Sequence, residues 1–118
     1  MLDPDALARL RKLGGGKLLG QLTDLFLVHG RQRLDSALAA HQQGDLPTLE
    51  AAVHSLKSSA GNLGARELYE LAERIEQRAA AGDAAAVAPL VAQLPGLFEQ
   101  TQRALEALRQ PGLAASGQ

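Results

Sequence analysis

Four residues on one stretch of this chain have types and spacing that could do chemistry together: His54, Lys57, Ser58 and Gly61. The stretch reads Leu49-Glu50-Ala51-Ala52-Val53-His54-Ser55-Leu56-Lys57-Ser58-Ser59-Ala60-Gly61-Asn62-Leu63-Gly64-Ala65. At about 100° per residue, Leu49, Val53, Leu56 and Ala60 form one apolar stripe. His54 then lies roughly 130° from the centre of that stripe, so its ring is predicted to face solvent or a partner. Residues at +3, +4 and +7 share its face. The histidine therefore has a cation one turn away and almost no side-chain bulk beside it. A neutral imidazole is a good nucleophile near neutral pH, and a nearby lysine can offset charge on a phosphoryl group in transit. Small neighbours let another protein's active site come close enough for in-line attack. The pattern suits phosphoryl transfer through histidine.

The same residues carry a resemblance. His54-Ser55-Leu56-Lys57-Ser58-Ser59-Ala60-Gly61-Asn62-Leu63-Gly64 is similar to the signature of histidine-containing phosphotransfer (HPt) domains, H-x-L-K-G-x-x-x-x-L-G. Lys57, Leu63 and Gly64 match in type and spacing, and Ser58 stands where glycine is usual, a small-for-small change. The resemblance implies an antiparallel four-helix bundle. It also implies a carrier in a two-component phosphorelay that accepts a phosphoryl group from a receiver-domain phospho-aspartate and passes it to another receiver aspartate. The expected partners are response-regulator receiver domains or a hybrid sensor histidine kinase. Mg²⁺ and most of the catalytic constellation would belong to the receiver, and the chain would need no cofactor of its own.

Composition narrows the field independently. The chain has 118 residues, enough for one core. Aromatic residues make up only 3%, so aliphatic side chains must build that core, and the abundance of alanine and leucine favours helix throughout. The expected class is all-α. A formal charge of −1 argues against nucleic acid as a partner. Cysteine is absent, which excludes disulfides and thiolate metal sites. There is neither a charged, apolar leader nor a run long enough to span a membrane, so a cytoplasmic protein is expected. No G-x-x-x-x-G-K-[ST] loop or glycine-rich nucleotide box occurs, so a carrier without intrinsic kinase activity is expected.

The elements that must position His54 follow from periodicity and punctuation. A short first helix is predicted over 2–13, capped by Asp3 with Pro4 at its first position and ended by Gly14-Gly15-Gly16. A second runs from Lys17 to about Gln43 with Leu18, Leu22, Leu25, Phe26, Leu34, Ala37 and Leu38 inward. Gly30 marks a bend in it or a place where another chain approaches. Gly44-Asp45 starts the His54 helix, and a tight turn near Gly61–Gly64 leads into a fourth over 65–81. Asp83 caps a fifth reaching Arg109, kinked but continuous at Pro89 and Pro95. Packed together these give an antiparallel four-helix bundle over 1–109 with the short first helix laid across an end, and 110–118 is expected to be a flexible tail.

Counting back across the turn puts Glu73, Glu76 and Gln77 near the height of His54. A second group should hold the other ring nitrogen, and among these Glu76 is preferred, against the alternative that all three are merely solvated. The docking surface is expected to include Ser58, Gly61 and Gly64, with Leu27 and Arg31 from the second helix. A monomer is expected. Two other readings compete. One is a phosphate-independent helical adaptor, or inactive HPt-like bundle, that binds receiver or kinase domains. The other is a di-metal bundle, but the paired Glu-x-x-His pattern that it needs is absent, so no metal site is expected.

Overall fold

The computed structural model describes residues 2–109. The expected tail at 110–118 and the side chain of Leu10 lie outside the described residues. The helices are α1 (Pro4–Leu25), a π-helical turn (Phe26–Gly30), α2 (Arg31–Gln42), α3 (Leu46–Asn62), α4 (Arg66–Ala80) and α5 (Ala84–Arg109). Three aspartates start helices as the sequence predicts. Asp3 Oδ1 accepts from Asp5 N at 3.0 Å, Asp45 Oδ1 from Thr48 N at 3.2 Å and Asp83 Oδ1 from Ala86 N at 3.1 Å. Helices α2 to α5 form the antiparallel bundle: α3 packs between α2 and α4, and α5 against α4, α2 and α1. Pro89 and Pro95 both lie on the solvent face of α5, where water can satisfy the carbonyls they leave unbonded, and the helix runs unbroken through them.

The first helix departs from expectation. Gly14-Gly15-Gly16 does not end it, because α1 continues to Leu25 and through the π turn into α2. At its start Asp3 N donates to Gly64 O at 2.6 Å, and near its end Leu22 lines a groove with Leu63.

A second difference lies in which face of this segment is buried. Leu25, predicted inward, is 52% exposed, while Leu19, Thr23, Phe26 and Gly30 are buried. These four follow i, i+4, i+7, i+11 spacing and share one face. There the rings of Phe26 and Phe98 stack at 5.1 Å, and a Cβ on Gly30 would sit 3.0 Å from the Phe98 ring. The close approach at Gly30 is made by Phe98 of this same chain rather than by another chain.

Leu49, Val53, Leu56 and Ala60 of α3 are all fully buried. Burying each of the larger three is worth about 1.5–3 kcal/mol. Rotating α3 to turn His54 inward would expose them, so the core fixes the outward direction of the histidine.

Gly64 ties the N-terminal strap to the α3–α4 turn. Its φ is +70°, and a Cβ there would lie 2.7 Å from Ala6 Cβ and 2.9 Å from Asp3 Cβ. Gly64→Ala should therefore cost at least about 1–2 kcal/mol for the left-handed backbone alone, lowering the melting temperature by roughly 4 °C or more. On α5, a methyl added at Gly96 would meet nothing within 4 Å. Gly96→Ala should gain up to about 1 kcal/mol. Thermal melts of the two variants measure the contrast.

Candidate functional site

His54 stands on the outer face of α3 with 61% of its side chain exposed. Ala51, Ser58 and Gly61 share that face and are exposed too, so the ring rises from a strip of small residues. The neighbouring helix supplies its one polar partner among the described residues. Glu76 on α4 places Oε2 2.5 Å from His54 Nδ1 and Oε1 2.7 Å from Lys57 Nζ. One carboxylate thus grips both residues that the sequence singled out, and of Glu73, Glu76 and Gln77 it is Glu76 that does so.

Antiparallel packing of α3 on α4 sets this register. One step along, Lys57 also lies over the Tyr69 ring at 5.8 Å, and a Cβ on Gly61 would meet that ring at 3.3 Å. Tyr69, Glu73 and Glu76 follow i, i+4, i+7 spacing on α4, so the stripe facing His54, Lys57 and Gly61 was readable as a row. Tyr69 was not singled out from the sequence. Gly61 makes room for its ring as well as for a visitor.

Charge fixes the proton. Burial of the Glu76 carboxylate acts to raise its pKa, but hydrogen bonds from Lys57 and His54 outweigh burial and hold it below the ordinary value. The Lys57 ammonium is raised above its ordinary value, chiefly by its bond to Glu76 and against partial desolvation. An ionised carboxylate only accepts. Nδ1 must then carry the hydrogen, and the lone pair falls on Nε2, which no described residue bonds. The arrangement can present a nucleophilic nitrogen to a partner. Lys57 sits against the carboxylate and ring of α4 rather than free in solvent, and there it cancels the negative charge nearest His54.

The predicted docking residues divide. Ser58 and Gly61 are on the exposed face. Gly64 is not: it is buried beneath Asp3 and Ala6, and its work is the turn. Leu27 is half-buried and packs on the core. Arg31 lies 5.0 Å over the Phe98 ring and donates to Gln102 Oε1 at 3.3 Å, both on α5, away from α3. Arg33 of α2 does reach the His54 helix, where its Nε donates to Ser55 Oγ at 3.1 Å. Leu25 is exposed and lines a groove with Ser59 and Asn62 of α3, and Val28, one turn along, is exposed as well. No group of three or more metal-ligating side chains occurs among the described residues, and no described helix is long and apolar enough to cross a membrane.

Because the folded-state pKa of Glu76 is depressed, its contribution to stability is present above the ordinary value of 4.5 and is lost as pH falls through the folded value. Wild type should melt slightly above Glu76→Gln near neutral pH, and the gap should close on acidification. Melts of both proteins across that range measure it.

Residues 21–110 match the Hpt domain family. No curated protein matches the chain. The fold is similar to the crystal structure of histidine-containing phosphotransfer protein B (HptB) from Pseudomonas aeruginosa PAO1, with a TM-score of 0.87 and 29% identity, covering 93% of this chain and 95% of that one. Taken with the helical bundle and its outward histidine, these matches establish that the chain belongs to the Hpt domain family, the histidine phosphotransfer modules of phosphorelays.

Proposed function

We propose that His54 is the phosphoacceptor of this carrier, attacking through Nε2 a phospho-aspartate presented by a receiver domain and returning the group to another receiver aspartate. The observation that carries this reading is the ring itself, exposed and with Nδ1 engaged by Glu76. Attack forms the Nε2–P bond as the aspartyl O–P bond breaks, and the return step reverses both. The chain supplies the nucleophile, a neutralised carboxylate beside it and an unobstructed face. Mg²⁺ and the groups around the aspartate come from the receiver. No ATP chemistry is assigned to this chain, and it acts as a monomer.

The docking footprint extends from His54 toward α1. A typical stable interface covers about 800 Å² per partner, a disc of roughly 16 Å radius. Asn62 is eight residues along α3 from His54, about 12 Å. Asn62 is also about 80° round α3 from His54, and we extend the footprint over that flank to the groove of about 170 Å³ bounded by Leu22, Leu25, His29, Ser59, Asn62 and Leu63, with exposed Val28 one turn along from Leu25. On the α4 side the surface is charged, through Glu70, Glu73 and Arg74.

Incubation with purified receiver domains carrying phospho-aspartate tests the assignment. Wild type should gain an acid-labile, alkali-stable label and His54→Gln none. Label persisting in His54→Gln contradicts it. Leu25→Ser and Val28→Ser should each weaken receiver docking by about 1 kcal/mol, roughly fivefold in the receiver concentration needed. Labelling by the small donor phosphoramidate should be unchanged in both. Unaltered receiver dependence would remove the groove from the footprint.

A further inference from the structure

A phosphoryl carrier must release its group as readily as it accepts it, and for imidazole one proton decides the balance. When the Nε2 lone pair forms the N–P bond with hydrogen still on Nδ1, the ring becomes a phosphoryl-imidazolium cation. When that bond breaks, its electron pair returns to Nε2 and neutral imidazole departs. Without the hydrogen, the leaving group is imidazolate, a far poorer one.

We infer that Glu76 is a positioning residue for release as well as for capture: its carboxylate keeps the hydrogen on Nδ1 of His54 in both the free and the phosphorylated states. No proton then changes hands in either half-reaction. The inference rests on His54 being the acceptor and adds what governs the lifetime of its phosphorylated form.

The geometry supports it in three ways. The 2.5 Å contact to Nδ1 gives the proton a charged acceptor before and after transfer. The second oxygen is tied at 2.7 Å to Lys57, so the carboxylate is held from both ends and cannot swing away when the ring turns cationic. Glu76 also follows Ile75, which is fully buried, and α4 is fixed by Leu68 and Ala72, so the carboxylate is presented by a rigid element. Among charged neighbours, Lys57 balances Glu76, Glu73 acts on Lys57, and Arg33 lies on the other flank at Ser55.

The test uses the full chain labelled with phosphoramidate in mildly alkaline buffer, which needs no partner. Glu76→Gln should label more slowly than wild type yet keep its label longer. Each change should be roughly tenfold to a hundredfold, the scale on which a carboxylate behind a histidine acts at metal sites. A merely structural loss would slow labelling without prolonging the label. NMR of isotope-labelled histidine in wild type alone should show Nδ1 protonated both before and after phosphorylation, and this readout stands even if the variant folds poorly. A label in Glu76→Gln that is lost as fast as in wild type, or a deprotonated Nδ1 in the phosphorylated wild type, overturns the inference. Equal labelling of His54→Gln and wild type would instead overturn the assignment of the acceptor.

Discussion

Two oxygens of one carboxylate, on Glu76, bind two residues of the neighbouring helix, and the reactive geometry depends on that grip. The grip does not hold the bundle together. A half-buried ion pair sets its attraction against the desolvation of both charges and adds little net stability, whereas α3 buries Leu49, Val53 and Leu56 completely at about 1.5–3 kcal/mol each. The direction of dependence is therefore clear. Core packing fixes the rotation of α3 and its register on α4; that register puts Glu76 opposite the step between His54 and Lys57; and the carboxylate then chooses which nitrogen carries the hydrogen. A rigid hydrophobic seam has been used to place a weak polar contact to within hydrogen-bond tolerance.

What the sequence revealed follows the same division. The outward direction of His54 was legible because its apolar stripe has a strict helical period and every member of it is buried. Glu76 was within reach of counting because only the tight turn at Leu63–Ala65 separates the two helices. Counting failed where the buried stripe is not made of the most apolar residues. Leu19, Thr23, Phe26 and Gly30 form the inward row, so a threonine and a glycine take inward places and Leu25 is exposed, while Arg31 reaches Phe98 and Gln102 of α5. The triple glycine misled for another reason. Local propensity says stop, but Leu19 and Thr23 on one side and Ala6 on the other are buried, and that packing carries the helix through. Gly64 was read by its motif position and turned out to serve the fold, since its carbonyl receives the Asp3 N–H.

The surface around His54 is asymmetric. Toward α4 it is charged, and the nearest cation is already paired; toward α1 it is apolar and grooved, with Leu25 and Val28 standing out. On the proposed function, a partner that brings an aspartyl phosphate over the ring would meet small residues directly beneath it and dock on the groove to one side. Chemistry and recognition would then be carried by different neighbours of the same helix, and the docking surface could vary without disturbing the proton on the ring.

The measurement that bears most directly on this account is the site of the phosphorus–nitrogen bond. In uniformly labelled protein charged by a phosphorylated receiver, phosphorus–nitrogen coupling should appear at Nε2 of His54 alone. Coupling at Nδ1 of that ring, or at His29 or His41, would contradict the account at its centre.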